Sequence, residues 1–449
     1  MTRKRVLCIS YQFPPFAGTG VFRVLNFVEH LPDRGWDSVV LSVLPGHYEK
    51  GTALDHGLCA RVNGSARVHR TKCFQGIDAM LSLRGKFRGN ATPAGAGLGE
   101  LEGHAQARKG VWQGVKDAVT LAYRIPDKQV GWLPYALSEG FRICRSEKPD
   151  LIYASGGPWT SFLIGLALKA HFHLPLVIDF RDPWMNNPYD ELNVGFRRRV
   201  NRFLERWCLR CADAVIANTE PLRTLLADTA GSGSKCHTIT NGYNETEYVG
   251  LETRASGTAP LVVTHVGTLY GKRTPDSFLQ ALTRLIDTGR LGAHEVAVRF
   301  IGHVDEARIN NLIGSHPVGA MVTCVGIVPK NQALEMLFQS DIALLIQPDT
   351  RLQIPAKLFE YIRSQKPILA VCGEGATQEL IEAHGLGVVA DADDPEGMEG
   401  AILGVFRQVR SADRIAKKEY LKFEAGALTT QLASVFDGLI QPSPQVNNG

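Results

Sequence analysis

The sequence predicts an α/β protein made of two doubly wound parallel sheets. Three observations carry that expectation. Short apolar strands alternate with helices of 3.6-residue apolar spacing along most of the chain. The alternation breaks in a polar stretch at 246–259 and then restarts. The connections are too long for hairpins and suit crossovers between parallel strands.

The elements follow in order. Residues 6–10 read as a strand. The loop 11–20 carries Pro14, Pro15, Gly18 and Gly20. A helix at 21–31 places Val21, Val24, Leu25, Val28 and Leu31 on one face, and a strand at 39–43 completes the first unit. Residues 72–116 read as a flexible, locally basic insertion. A helix then runs to Glu147, followed by a strand at 151–154, a loop at Ser155-Gly156-Gly157-Pro158 and a helix at 159–171. The strand at 176–180 ends in Arg181-Asp182-Pro183-Trp184. A helix at 194–211, a strand at 214–217 and a helix capped by Asn218-Thr219-Glu220-Pro221 come next. A strand and turn at 238–243 close a first domain, 1–245.

After the 246–259 linker a second domain, 260–425, repeats the alternation. Its strands are placed at 261–266, 296–301, 322–325, 342–346, 368–371 and 387–390. Its helices fall at 275–286, 305–313, 331–339 and 377–384, with another inside 354–361. Helical pattern at 401–408 and 431–439 leads to a terminal helix, 426–440. The polar tail 441–449 is expected to be disordered. Doubly wound sheets take ligands outside the carboxyl ends of their strands, and two of them facing each other make a cleft.

Composition narrows the classes. Of 449 residues, 44% are hydrophobic and 21% charged, as in ordinary globular chains. A formal net charge of +4 is too small to mark a nucleic-acid binder. No uninterrupted apolar run is long enough to span a bilayer. The basic start Met1-Thr2-Arg3-Lys4-Arg5 precedes too short an apolar run for a signal peptide, so a cytoplasmic protein is expected. Nine cysteines agree with that. Cys8, Cys144 and Cys324 read as small buried residues, and Cys208 with Cys211 as helix-packing residues without a second pair at zinc spacing.

The most informative stretch is Ile354-Pro355-Ala356-Lys357-Leu358-Phe359-Glu360-Tyr361. Pro355 suits the first turn of a helix. Lys357 and Glu360 lie three apart, so they share a face near its N-terminus. Free N–H groups, a lysine and a carboxylate there suit a nucleoside-diphosphate sugar. Taken alone, the pair reads more readily as a surface ion pair on an amphipathic helix; the rest of the chain reverses that preference.

In context, the chain resembles a GT-B fold glycosyltransferase of the large retaining family 4, in the branch of bacterial polysaccharide and lipid-linked glycan enzymes. The resemblance rests on Phe13-Pro14-Pro15 with Gly18 and Gly20, Pro149-Asp150, Asp179-Phe180-Arg181-Asp182-Pro183-Trp184, Ala212-Asp213, Thr240-Asn241-Gly242-Tyr243, Gly267 with Lys272-Arg273, and the 354–361 stretch. It implies two Rossmann-like domains facing a cleft, an acceptor-side first domain and a nucleotide-sugar-binding second one. It implies no cofactor and no catalytic metal. Protein cations and backbone N–H groups hold the departing diphosphate instead.

The residues expected at the donor are Gly18, Gly20, Gly267, Thr268, Lys272, Arg273, Ile327, Val328, Pro355, Lys357, Leu358 and Glu360. Arg273 and Lys357 meet the phosphates, Glu360 accepts from ribose hydroxyls, and Ile327 and Val328 clamp the base through their backbone. Asp179 and Arg181 join Arg273 and Lys357 as the expected catalytic set. Gly156, Gly157, Asp182 and Trp184 are expected on the acceptor side. Arg181 also reads as half of a structural pair with Asp179 or Asp182. Thr268 and Leu352 depart from the family pattern, where an Arg and a first acid usually stand, and no His occupies 155–158. Asp391-Ala392-Asp393-Asp394 matches the letters of a metal-binding loop but falls in a turn after the last strand, and is read as no metal site.

The helix at 194–211 carries Arg197, Arg198, Arg199, Arg202, Arg206 and Arg210 with Phe203, Leu204 and Trp207 between them. A basic amphipathic face of this kind fits an anionic membrane surface, which would place the protein peripherally on the inner face of the plasma membrane and make the acceptor a polyprenol-linked sugar. It fits a solvated basic face with the apolar residues turned inward equally well. The basic loop 84–88 carries the same two readings. Rival functions are a GT-B sugar-nucleotide epimerase and a non-catalytic partner subunit. A dehydrogenase is disfavoured because no Gly-x-Gly-x-x-Gly follows either first strand.

Overall fold

The computed structural model describes residues 3–62, 64–75, 124–187, 195–254, 260–314, 316–348, 350–411 and 417–440. Most of the expected insertion, including the basic loop 84–88, lies outside the described residues, as do residues 255–259 of the linker and the tail 441–449.

The first sheet is built from β1 (Lys4–Ile9), β2 (Trp36–Val43), β3 (Ala66–Thr71), β4 (Leu151–Gly156), β5 (Leu176–Phe180), β6 (Ala214–Ala217) and β7 (Cys236–Thr238). Their order is β3-β2-β1-β4-β5-β6-β7. The pairs β1–β2, β1–β4, β2–β3 and β4–β5 are all parallel. Central strands are covered on both faces and are correspondingly apolar; Val6, Leu7 and Ile9 are fully buried. The covering helices include α1 (Val21–His30), α2 (Leu133–Glu147), α3 (Thr160–Phe172), α4 (Gly195–Cys211) and α5 (Glu220–Ala230). Thr219 caps α5 by accepting from the Leu222 N–H at 3.2 Å.

The second sheet holds β8 (Leu261–Val266), β9 (Val296–Ile301), β10 (Val322–Gly326), β11 (Ile342–Ile346), β12 (Ile368–Val371) and β13 (Gly387–Ala390), in the order β10-β9-β8-β11-β12-β13. The pairs β9–β10, β8–β9, β8–β11, β11–β12 and β12–β13 are all parallel. Between and after these strands lie α6 (Asp276–Asp287), α7 (Glu306–Ile313), α8 (Lys330–Phe338), α9 (Lys357–Ser364), α10 (Ala376–Ala383), α11 (Pro395–Arg410), α12 (Lys417–Tyr420) and α13 (Ala425–Ile440). Two apolar clusters cover its faces. One includes Phe278, Leu282, Phe300 and Ile402; the other includes Leu358, Phe359, Ile362 and Leu337.

In chain order each sheet runs third, second, first, fourth, fifth, sixth, with one further strand on the first sheet. That is the doubly wound order, with a switch point between first and fourth strands. The switch points therefore fall between β1 and β4 and between β8 and β11. The fold class is the one the sequence predicts.

Several boundaries differ. β3 was not anticipated: its sequence, ARVHRT, has little apolar content because it is an edge strand with only partial burial. α11 begins at Pro395, several residues before the expected helical pattern, whereas α13 begins at Ala425, one residue before the expected terminal helix. By packing, one compact unit takes residues 3–28, 35–215 and 439–440, and the other 29–34 and 216–438. The division falls earlier than the 245/246 boundary read from composition. Part of the expected linker is packed rather than free: Tyr248 is buried in the Leu358 cluster, and the Arg254 N–H donates to the Phe338 carbonyl at 3.3 Å.

Candidate functional site

At the second switch point three strands end in glycines held in conformations other residues avoid. Gly267, Gly302 and Gly326 have φ of +122°, +119° and +80°. The Gly267 N–H donates to the Ile301 carbonyl and the Gly302 N–H to the Gly326 carbonyl, each at 2.7 Å. These bonds lock the strand ends into one floor. Neither Gly267 nor Gly302 has room for a side chain. A Cβ on Gly267 would sit 2.7 Å from Lys357 Nζ, and one on Gly302 would sit 2.7 Å from the Gly267 carbonyl.

Lys357, the first residue of α9, lays its ammonium over this floor. Nζ lies 3.3 Å from His265 Nε2. His265 is fully buried in β8, and its Nδ1 faces the Leu344 carbonyl at 2.9 Å. A carbonyl can only accept, so Nδ1 carries the proton and Nε2 offers its lone pair to the lysine. Burial, and then the charge of Lys357, drive the imidazole pKa far below its usual value, so it stays neutral. Burial and Arg273 together pull the Lys357 pKa down to about 8, against a weaker opposite pull from Glu360. Lys357 has no ion-pair partner among the described residues. A half-buried ammonium beside another cation calls for an anion. Tyr361, one turn into α9, fixes the helix to the strand end by accepting from the Val266 N–H at 2.8 Å.

Arg273 comes from the loop after β8, with its guanidinium 4.9 Å from the centre of the Tyr270 ring. Lys272 and Thr268 are exposed on the same loop. Glu360, on the same helix as Lys357, is 3.5 Å from Lys330, which donates to Glu247 at 2.7 Å. Burial raises the Glu360 pKa, with Lys330 opposing the shift. Its side chain keeps 24% exposure, enough to meet a ligand hydroxyl. Ile327 is 81% exposed just beyond Gly326, next to the half-buried Val328.

One expected donor contact does not fit. Leu358 is fully buried in the apolar cluster, and its N–H donates to the Pro355 carbonyl at 3.0 Å, so neither part is offered to a ligand. Pro355 itself stands in the turn that opens α9. The acidic stretch after β13 is used locally: Asp391 accepts from the Asp393 N–H, and Asp394 caps α11 by accepting from the Gly397 N–H, each at 2.9 Å.

The residues expected to act in the first domain are placed differently. Asp179 is fully buried and takes both Nε and Nη2 of Arg23, at 2.7 and 2.9 Å, together with the Tyr153 hydroxyl. It cannot reach a reacting atom, so its catalytic assignment is corrected to a structural one. Nor is it the partner of Arg181. That guanidinium donates to the Gly156 carbonyl and to Gln12 Oε1, at 2.8 and 2.9 Å, and to the carbonyls of Gly20 and Gly157. Arg181 ties three loops together, and its catalytic assignment is corrected likewise.

Gly20 lacks a side chain because Gln12 and Arg181 fill the space, and Gly18 because Phe16 does. The expected phosphate approach at these two glycines is thus occupied by the chain itself. Gly156 is buried, with the Phe162 ring 2.3 Å from where a Cβ would stand. Trp184 is buried and stacked on Trp159, at 5.0 Å between centroids. It is therefore no acceptor contact, whereas Asp182 is exposed. A cavity of about 360 Å³ does open at this first switch point, lined by Tyr11, Phe16, Glu49, Gln129, Gly157 and Trp159, among others.

Sequence reasoning missed His265, Arg23 and the Lys330–Glu247 pair. The first two had a readable signal: a titratable ring inside the apolar strand LVVTHV and a lone arginine inside an apolar helix.

Two parallel Rossmann-like sheets, one carrying a glycine floor under cations at its switch point, are the architecture of a GT-B fold protein. A family model described as "Glycosyl transferase 4-like domain" matches residues 18–242. The chain belongs to that family and is a glycosyltransferase. No curated protein matches it. Among solved structures, sucrose-phosphate synthase from Thermosynechococcus elongatus is similar, with a TM-score of 0.63, 15% identity and coverage of 98% of this chain and 100% of that one. HepE of Anabaena in complex with UDP-glucose aligns with a TM-score of 0.56 at 14% identity, over 97% of this chain and 100% of that one. The apo lipopolysaccharide outer core galactosyltransferase WaaB aligns with a TM-score of 0.58 at 11% identity, covering 97% and 99%. At these identities the likeness speaks for the fold. Among the described residues no helix is long and apolar enough to cross a membrane.

Proposed function

We propose that this glycosyltransferase moves a sugar, with retention and without a metal, from a nucleoside-diphosphate sugar to a glycan or polyprenol-linked acceptor. The observation that carries the reading is the Lys357 ammonium: half-buried, its pKa pushed down by burial and Arg273, lacking an ion-pair partner among the described residues, and laid over Gly267. A pyrophosphate supplies the missing negative charge, and Arg273 meets its other oxygens. Glu360, one turn along α9, accepts from ribose hydroxyls, and the exposed segment at Ile327 and Val328 lies against the base. HepE, similar in fold, has been solved with UDP and with UDP-glucose, which makes uridine nucleotides the first probes.

In the reaction the bond from the anomeric carbon to the diphosphate oxygen breaks, and a bond to the acceptor oxygen forms on the same face. The acceptor hydroxyl passes its proton to the departing phosphate. Lys357 and Arg273 stabilise the charge that grows on the leaving group.

The test is thermal unfolding with UDP and a panel of UDP-, GDP- and dTDP-sugars, followed by titration of the best binder into Lys357→Ala and Arg273→Ala. Each charge-assisted bond lost costs about 1.5–3 kcal/mol, roughly ten- to a hundredfold in Kd. Variants that bind like the wild type would remove the donor site from this switch point. Linkage analysis of the product by NMR then decides retention.

A further inference from the structure

Helix α4 is amphipathic in an inverted sense. Its inward face is polar at three of five positions: Arg197, Asn201, Glu205, Cys208 and Leu209 are the buried ones. This face is fixed in place. Glu205 accepts from the Met185 N–H at 3.3 Å, and burial lifts its pKa to about 7. The helix packs against α3. The outward face carries Phe196, Phe203 and Trp207, exposed to 66%, 67% and 45%. Spaced by seven and four residues, these rings form one stripe along the helix. Arg199, Arg206 and Arg210 run beside them, all exposed, and the one acid of the helix points inward.

Three large rings in a row on a water-facing helix are costly unless something covers them. The charge beside them selects the cover. Arginines flanking aromatic side chains match the interface of a bilayer with anionic headgroups, where rings sit at headgroup depth and guanidinium groups meet phosphates. We propose that the outward face of α4 docks the protein on an anionic membrane surface, with Phe196, Phe203 and Trp207 inserted at the interface and Arg199, Arg206 and Arg210 on the lipid phosphates. The sequence left open whether the aromatic residues of this helix turn inward; the structure turns them outward. This surface needs nothing from the donor site, so the two readings stand or fall separately.

The test is co-sedimentation of the full chain with vesicles of phosphatidylcholine alone or mixed with phosphatidylglycerol, at low and high salt. Trp207 faces solvent, so its fluorescence reports contact with brominated lipid. The wild type is expected to sediment only with the anionic vesicles and to be released by salt. Arg199→Glu with Arg206→Glu should weaken partitioning by about fivefold or more per site. Phe203→Ser with Trp207→Ser should weaken it by about tenfold or more. All four positions are exposed, so circular dichroism and the UDP-induced thermal shift should match the wild type. Wild-type protein left in the supernatant with anionic vesicles at low salt overturns the proposal. So does binding that the Ser pair leaves intact. A solution dimer that the Ser pair dissociates, without vesicle binding, would give the face to a second copy and overturn it as well.

Discussion

Lys357, the first residue of α9, and Asp179, near the carboxyl end of β5, are both charged residues placed by a parallel sheet, yet their surroundings give them opposite work. Asp179 is saturated: one buried arginine and one buried tyrosine consume it. Removing it strands Arg23, a buried cation, at a cost of about 3–5 kcal/mol. Asp179→Ala should therefore lower the unfolding free energy in urea by that amount. Arg23→Met combined with Asp179→Leu should recover most of the loss, because a buried pair is often replaceable by apolar side chains. An Asp179→Ala variant that is as stable as the wild type but inactive would return Asp179 to the reaction. Lys357 instead has no ion-pair partner among the described residues, and burial beside Arg273 lowers its pKa to about 8. The lysine is charged below about pH 8 and increasingly neutral above it. Affinity for UDP should therefore be flat up to about pH 7 and fall as pH rises through 8, by up to tenfold per unit until the pKa of the complex is reached. Lys357→Arg, which does not deprotonate, should abolish that alkaline limb. Calorimetric titration at several pH values decides it, and a limb that persists in the arginine variant assigns the effect elsewhere.

At the scale of elements, the strand-end glycines Gly267 and Gly302 form a graded series with the loop glycine Gly271. Gly267→Ala puts a methyl group against Lys357 Nζ at a φ of +122°, so it should both strain the backbone by about 1–3 kcal/mol and push the ammonium off the floor. Gly302→Ala meets backbone, which cannot swing aside, and should destabilise more. Gly271→Ala, at φ +59° with open space around it, should cost only about 1–2 kcal/mol and leave UDP binding intact. Differential scanning calorimetry with and without UDP separates the three; equal losses of UDP binding at all three positions would mean that the floor is not the binding element. The strands around this floor were readable in the sequence because buried parallel strands are short unbroken apolar runs: 261–266, 296–301, 342–346, 368–371 and 387–390 coincide with β8, β9, β11, β12 and β13. β3 was not readable, since a partly exposed edge strand needs no apolar run. The early start of α11 was missed because its first turn is set by the Asp394 cap, not by apolar periodicity.

For the molecule as a whole, legibility divided between the two sheets. On the second, Lys357 and Glu360 could be read as a unit because three residues of helix put them on one face, and Gly267 with Arg273 because a single short loop joins them. His265 escaped because its partners, Leu344 and Lys357, are brought to it by strand pairing across about eighty and ninety positions, which no local pattern reports. On the first sheet, charged letters at a strand end looked catalytic, but burial turned Asp179 into a tie of β5 to α1 and β4, and Arg181 into a tie between loops. The chain's charge economy leads to the last prediction. In the proposed donor site the diphosphate's charge would be met by Lys357, Arg273 and Lys272, three cations on two short segments, at a floor of strand-end glycines. The carboxylates nearest in letters to a metal loop, Asp391 and Asp394, are engaged with backbone N–H groups at a turn and a helix cap. Turnover of the best UDP-sugar should therefore be unchanged by EDTA and insensitive to added magnesium, while Arg273→Ala with Lys357→Ala should depress kcat and kcat/KM together, since those groups act most strongly on the charge that grows in the transition state. Activity that vanishes with EDTA and returns with magnesium would show instead that a divalent ion, not the protein's own cations, carries the leaving group.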